Sequence, residues 1–424
     1  MSSEEVRKLF FNFFSDRGHK IIPSSSLIPF GDKSVLLTTA GMQQFKKYFT
    51  AEKDARVDFG GQRTVSIQKC FRTTDINEIG DTTHLTFFEM LGNFSFGPVG
   101  SDDPADFGPA GYFKRSAIVW AKEFLEKELG LNFDSVTVFK GEADIPFDEA
   151  SARVWAEIGY GDKIKKRGRE DNFWGPTGEE GPCGPTTEIY VNDLEVWNVV
   201  FNQYYQDSDG KLKKLDLVGV DTGMGFERLM KVIQKTETIF ETDLFEPTRT
   251  RLLEIKSDLV QSDLRIILDH VRAAVFLAGA GVQPSNLERG YVLRRILRRL
   301  ALRLRLNQIE LVQLEPVIKS VGEKFGQIYP ELQNYDKILK VIKTELGTFE
   351  QTLGQALRRF ERNITGVETA EELAGKLFQL YATYGLPLEL AKELAQIKKM
   401  EISPKVEDIF NERFKEHQKI SKAV

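Results

Sequence analysis

Val220-Asp221-Thr222-Gly223-Met224-Gly225-Phe226-Glu227-Arg228 is the stretch on which the fold turns. Lys213 to Val220 favours a strand, Gly223 and Gly225 allow a tight turn in which backbone can approach a ligand closely, and a helix follows. Two other segments answer it, Lys69-Cys70-Phe71-Arg72 and His84-Leu85-Thr86-Phe87-Phe88-Glu89. Together they supply two arginines, an aromatic and a glycine-rich turn. A nucleotide whose phosphates are bent and neutralised needs a planar bidentate donor, which arginine provides and lysine does not. Arg72 and Arg228 are the candidates. A purine binds well between an aromatic face and a guanidinium plane, so Phe88 and Arg228 are expected to form two sides of an adenine slot, with Glu89 in the same nucleotide group.

Working outward, the chain opens on a helix, with Ser2 and Glu5 as a capping box, Val6, Leu9, Phe10 and Phe13 at helical spacing and Gly18 as its stop. Between Val35 and Phe96 come short β-favouring runs, Val35 to Thr39, Thr64 to Phe71 and His84 to Leu91, patterned as antiparallel strands. A helix is expected over Tyr112 to Leu129. The cluster from Trp174 through Gly181-Pro182-Cys183-Gly184-Pro185 reads as a rigid loop before a strand at Glu188 to Val191. Trp197 to Tyr205 and Lys213 to Val220 pair through Asp209-Gly210, a hairpin turn signal. Beyond Phe245 helical periodicity dominates: Leu264 to Leu277, Tyr291 to Leu306, Pro316 to Phe325 and Leu332 to Phe360. The expected division is a sheet-based domain over 1–245 and a helical domain over 246–424. Leu293, Ile296, Leu297, Leu300 and Leu304 share one helical face, leaving Arg294, Arg295, Arg298, Arg299 and Arg305 available around the rest.

Composition narrows the function classes. The 424 residues, 41% of them apolar, suffice for two or three cores. No apolar run reaches the length of a membrane span and the polar, acidic start is unlike a secretory signal, so the expected location is the cytoplasm. Two cysteines, Cys70 and Cys183, and four histidines show no zinc-ligand spacing. A net charge of −5 excludes indiscriminate coating of nucleic acid, so any such contact is local.

At these residues the chain resembles the class II aminoacyl-tRNA synthetases, specifically the alanyl-tRNA synthetase family. The resemblance is carried by Pro23-Ser24-Ser25-Ser26-Leu27-Ile28-Pro29, Thr39-Ala40-Gly41-Met42-Gln43-Gln44-Phe45, Thr86 to Phe96, Asp171-Asn172-Phe173-Trp174, Gly181 to Pro185 with Glu188-Ile189, Trp197 to Phe201, Asp221 to Arg228, and Pro284-Ser285-Asn286 with Arg289 to Arg295. It implies an α+β fold: an antiparallel sheet flanked by helices, then an all-helical domain that receives the tRNA acceptor end. It further implies that the carboxylate of alanine attacks the α-phosphorus of ATP to give alanyl-adenylate and pyrophosphate, and that a ribose hydroxyl of the tRNA then takes the alanyl group. Neither step needs an enzyme nucleophile, so the site works by positioning and charge neutralisation.

The resemblance assigns roles to numbered positions. Arg72 would hold the α-phosphate and the attacking carboxylate, and Arg228 would lie over adenine near the γ-phosphate. Asp221 would take the alanine ammonium, although an aspartate there could instead cap the next helix. Trp174, Val200 and Met42 would wall the side-chain pocket, Gly223 would admit the ligand, and Asn198 would bond a carboxylate or ribose. Glu188 would help hold Mg²⁺ carried with ATP, since that ion prefers oxygen ligands. Asn286, Arg289, Arg294, Arg295 and Arg298 would contact the acceptor stem of tRNA(Ala), Asn286 matching the residue that reads the G3:U70 pair.

Three departures shape the expectations. Ala382, in Leu380-Tyr381-Ala382-Thr383-Tyr384-Gly385, stands where the family has an aspartate; it has no side-chain acceptor, so strict G3:U70 dependence is not carried over. The loop Thr73 to Gly80 is short and lacks a lysine and a histidine. The sequence stops at Val424 without an editing domain or a C-terminal dimerisation segment, as either a catalytic fragment or a naturally compact enzyme would, which leads us to expect a monomer and mischarging with serine and glycine unless a separate deacylase corrects it. Two rival functions are an alanine-adenylating enzyme with a non-tRNA acceptor and an inactive RNA-binding paralogue.

Overall fold

The computed structural model describes all residues except Lys33, Ala143, Asp144, Thr365, Gly366, Glu368, Ala423 and Val424. The chain divides into two compact units, Met1–Arg249 and Thr250–Val424. Among the described residues no helix is long and apolar enough to cross a membrane.

The first unit is built on one sheet. Its strands are β1 (Lys20–Ile21), β2 (Arg63–Phe71), β3 (Phe87–Ser95), β4 (Ser135–Phe139), β5 (Ile164–Arg167), β6 (Phe173–Trp174), β7 (Gly181–Val191), β8 (Leu194–Gln206) and β9 (Leu212–Gly225). The order is β1-β2-β3-β9-β8-β7-β4-β5, with β6 paired to β7. The central pairs are antiparallel. The end pairs β1–β2 and β4–β5 are parallel, so the sheet is mixed where a purely antiparallel one was expected.

One face of the sheet is closed by helix α1 (Ser3–Ser15) and helix α2 (Lys114–Glu123), which widens into a π turn over Phe124–Glu128. Ser2 and Glu5 cap α1 reciprocally. Phe10, Phe14 and Phe124 then pack around Trp197 of β8 at ring separations of 5.9–6.4 Å. On the other face the segment Gly41–Phe49 brings Met42, Phe45, Tyr48 and Phe49 onto Phe94 and Phe96.

Two strand expectations are corrected. Val35 to Thr39 forms no strand: it crosses the end of β2, touching Leu27 and Phe71 through single backbone bonds of Thr38, 2.9 and 2.8 Å, and its Leu37 is buried by packing. Conversely Gly181 to Pro185 is the first part of β7, not a loop. A bulge between Cys183 and Thr186 absorbs Pro185, while Pro182 stays in register with Tyr205. Gly184 brings the two backbones so close that a Cβ there would stand 1.9 Å from the Phe201 carbonyl oxygen.

The second unit is helical: α3 (Gln261–Gly279), α4 (Glu288–Leu306), α5 (Glu315–Phe325), α6 (Tyr335–Ile364), α7 (Ala370–Tyr384), α8 (Leu388–Ile397) and α9 (Pro404–Lys422). The apolar stripe of α4, Leu293, Ile296, Leu297, Leu300 and Leu304, is buried throughout, and α4 packs between α3 and α6.

Candidate functional site

Strand register explains which side chains meet. In an antiparallel pair, directly opposed residues project from the same face. Cys70 opposes Phe88 and Gln68 opposes Met90; Met90 opposes Gly225; Asn198 opposes Gly223 and Val200 opposes Asp221; Glu188 opposes Asn198. Phe88, Met90, Gly223, Gly225, Asp221, Asn198, Val200 and Glu188 therefore share the face away from α1. Glu89 has the opposite parity. It is fully buried and ion-paired with Arg7 of α1, which corrects its placement in the nucleotide group.

At the open end of that face is a cleft of about 540 Å³, counting its mouth, lined by Arg72, His84, Phe88, Met90, Glu195 and Arg228 among others. Arg72 is positioned by its backbone, whose N–H donates to the Thr86 carbonyl at 2.9 Å. Its guanidinium lies over the Phe88 ring, 5.0 Å from the centroid. Arg228 sits in the first turn of the helix Phe226–Gln234, into which β9 runs directly through Gly225. It donates to Glu195 at 2.7 Å, both side chains being 31% exposed. The arginine stacked on Phe88 is thus Arg72, while Arg228 lines the same cleft. Asp221 lies within β9, four residues before the helix cap, so the capping alternative falls away. His84 is hydrogen-bonded to Asp81 at 2.5 Å.

Farther along the same face the site becomes buried. Asp221 is 4% exposed, and burial alone pushes its carboxyl up to about 8, with no cation among the described residues beside it to offset the cost. Opposite stands buried Val200. The Oδ1 of Asn198 is buried without a hydrogen-bond partner. Gly223 leaves room for Met90, whose sulfur would lie 2.9 Å from a Cβ at that position and would have to shift. Trp174 packs against the cluster containing Met42, and Met42 accepts a contact from the Thr177 hydroxyl at 3.6 Å; Met42 is a fully buried wall. Glu188 accepts from Tyr190 at 2.9 Å and from Thr137 at 3.2 Å. Burial and then the charge of Glu195 raise its carboxyl to about 7.

Glu195 and Met90 escaped the reading of the sequence. The signal for Glu195 was the two-residue turn Asn192-Asp193, both at positive φ, which sets the register opposing Tyr190 to Glu195. The cysteines offer no nucleophile: both are buried, and burial pushes Cys183 up to about 11 and Cys70 higher still. Among the described residues no group of three His, Cys, Asp or Glu side chains is arranged to hold a metal.

The second unit corrects the expectation of an available arginine face. Glu345 of α6 accepts from Nε of Arg294 at 3.0 Å and of Arg298 at 3.2 Å. Arg298 also donates to the Gly385 carbonyl at 2.6 Å. Arg299 is buried against Glu393, and Arg295 stands 3.9 Å from Glu389. Exposed Asn286 accepts from Arg294. Arg289 lies at the start of α4 and Ala382 is exposed on α7.

A family model described as tRNA synthetases class II (A) matches residues 5–424. Among curated proteins, the alanine–tRNA ligase of Rubrobacter xylanophilus is 40% identical over 93% of this chain and 47% of its own length. That of Thermotoga maritima is 41% identical over 100% of this chain and 50% of its own, and that of Dehalococcoides mccartyi 38% identical over 93% and 46%. The chain spans about half the length of the curated relatives it matches. Among solved structures, pyrrolysyl-tRNA synthetase of Desulfitobacterium hafniense aligns with a TM-score of 0.35 and 12% identity over 57% of this chain and 72% of that one, a likeness too slight to build on.

Proposed function

The chain belongs to the class II (A) tRNA synthetases, and from that premise we propose that it activates alanine with ATP to alanyl-adenylate and pyrophosphate and transfers the alanyl group to the 3′ end of tRNA(Ala). The observation that carries this reading is Asp221. A buried carboxyl with no cation beside it among the described residues, on the sheet face whose end carries a cleft lined by two arginines and an aromatic, awaits a ligand that is cationic at one end and anionic at the other. An amino acid meeting a nucleotide has that polarity.

Arg72 and Arg228 would draw the phosphates and the attacking carboxylate together and neutralise the charge that grows on the phosphate oxygens. Phe88 offers its ring to the base, and breaking the Arg228–Glu195 pair frees a guanidinium for ATP. Asp221 takes the ammonium, Asn198 a carboxylate or ribose oxygen, and Val200, Trp174 and Met42 limit the side chain, with Gly223 as floor. Mg²⁺ carried with ATP suits the oxygen donors of Glu188 and Glu195, whose mutual repulsion a cation relieves, and when bound it would supply further neutralisation of phosphate charge. In the helical unit Asn286, Arg289, Arg294, Arg295 and Arg298 are the candidates for the acceptor stem. The domain division we propose follows function: activation in 1–245, stem contact in 246–424.

The test is alanine-dependent ATP–pyrophosphate exchange alongside charging of two tRNA(Ala) transcripts, one with G3:U70 and one with G3:C70. Exchange and charging of the first transcript are expected. Exchange without charging of either transcript would point to a non-tRNA acceptor, and absence of exchange would leave an RNA-binding paralogue. Because a pocket discriminates weakly against losing a methyl or gaining a hydroxyl, serine and glycine should also support exchange with this chain, at about 10²-fold lower efficiency.

A further inference from the structure

Internal pairing takes much of the expected arginine face out of play, since Arg294, Arg298 and Arg299 are bound to Glu345 and Glu393. Exposed positive charge gathers elsewhere, on the edge strand β5 and beside it. Lys163, Lys165, Lys166, Arg167 and Arg169 fall within seven residues and all are exposed, in a chain whose net charge is −5. The stretch Asp162 to Asp171 also holds three acids, Asp162, Glu170 and Asp171, so against these five cations a surplus of two remains. Nearby Glu142 is held by Lys140 at 3.3 Å and by the Arg169 backbone N–H at 3.1 Å.

Register and contacts sort the five. Lys163 donates to the Phe133 carbonyl at 3.1 Å, Lys166 lies 4.4 Å over the Phe147 ring, and Arg169 covers Phe173 and donates to Gln206 at 3.1 Å. Among the described residues, Lys165 and Arg167 have neither an ion pair nor a side-chain hydrogen bond. Lys165 opposes Thr137 and Arg167 opposes Phe139. The Thr137 hydroxyl donates to Glu188 at 3.2 Å, and Glu188 opposes Asn198, so Lys165 and Arg167 stand at the edge of the face that carries the site. Such positions on one strand face are about 7 Å apart, which lets each cation meet its own phosphate along an extended strand. An acidic peptide pairing with the edge is the poorer fit, because β5 offers only four residues and lysines on an edge discourage strand addition.

Resting on the tRNA-charging reading, we propose that Lys165 and Arg167 form a phosphate-binding rim on the first unit that holds the backbone of the single-stranded end of the RNA at the margin of the site face. The rim recognises phosphates and not bases, so it adds affinity without sequence preference.

The experiment compares the full chain with the double variant Lys165→Gln/Arg167→Gln by filter binding of the G3:U70 tRNA(Ala) transcript across a range of salt, charging kinetics, alanine-dependent exchange and melting temperature. The variant should bind the transcript about tenfold more weakly, raise the KM for tRNA to match, and flatten the log–log salt dependence by about one to two. Exchange, which needs no RNA, and the melting temperature should not move. The charge-keeping exchange Lys165→Arg/Arg167→Lys should bind like the parent, and so should Lys166→Gln, whose side chain projects from the other face. Unchanged binding in the double Gln variant overturns the proposal, and so does a comparable loss in Lys166→Gln, which would make net charge the only cause. A loss of exchange in step with charging overturns it as well, by giving these residues a part in activation or folding. Polyglutamate that binds the parent more tightly than the transcript does, and the double variant not at all, would reassign the rim to an acidic protein. If the parent neither exchanges nor charges, the activation reading fails, while transcript binding by parent and variant still decides the rim.

Discussion

Asp221 concentrates the chemistry of the site in one residue. Its carboxyl titrates at about 8 because the fold buries it, whereas in the unfolded chain it titrates near the ordinary value of about 3.9. Between these values the folded chain holds a proton that the unfolded chain has lost. The stability tied to this group is therefore complete below about pH 4 and is lost as pH rises through about 8. Asp221→Asn removes that dependence, so calorimetry should find the variant's melting temperature unchanged at acid pH and above the parent's at pH 9; a parallel offset at all pH values would contradict this. The ammonium of alanine needs the charged form, so the KM for alanine in exchange assays should fall as pH approaches about 8 and lose that trend in the Asn variant. Glu89 teaches the converse at this scale. Its neighbours in sequence, Phe88 and Met90, line the cleft, yet alternation turns it to the far face, where Arg7 neutralises it.

At the scale of elements, the hairpin of β7 and β8 and the helix pair α4 and α6 do the positioning. A Cβ at Gly184 would meet the Phe201 carbonyl at 1.9 Å, and because the obstacle is backbone no side-chain shift relieves it. Gly184→Ala should cost about 3 kcal/mol or more and move Val200 and Asn198; the urea midpoint should drop and the KM for alanine should rise, and a neutral outcome would mean that the bulge is softer than drawn. In the helical unit Glu345 joins Arg294 and Arg298, whose side chains are 21% and 19% exposed. Removing the carboxylate leaves two half-buried guanidinium groups without it. Glu345→Ala should cost ~1–2 kcal/mol, less than a fully buried pair because solvent still reaches the arginines. Glu345→Asp should recover part of the loss in the same urea titration, whereas a lost packing surface would not be restored.

Over the whole molecule the two units bring unlike chemistry, a cleft lined by Arg72, Phe88 and Arg228, which we propose takes an amino acid and a nucleotide, in Met1–Arg249 and an arginine-bearing helix in Thr250–Val424. Replacing Arg294 and Arg298 together by alanine should lower tRNA charging at least tenfold more than it lowers exchange, and should flatten the salt dependence of tRNA binding by about one to two in log–log slope. Equal losses in both assays would mean that these arginines serve the fold alone. The sequence by itself determined the capped first helix, the hairpin at Asp209-Gly210, the passage of β9 into a helix at Gly225, the helical character of the chain beyond Phe245 and the family blocks, since caps, turns, periodicity and motifs are local and are written within a few residues. It did not disclose the mixed edges of the sheet, the strand character of Gly181 to Pro185, the aversion of Glu89 from the cleft or the internal neutralisation of the arginine face. Those were decided by the tertiary structure alone. Arg7 lies 82 residues from Glu89 and Glu345 lies 51 from Arg294, and the burial that raises Asp221 comes from strands and helices remote in the chain. Register and ion pairing across such separations depend on which surfaces meet when the core closes, and no local pattern encodes that.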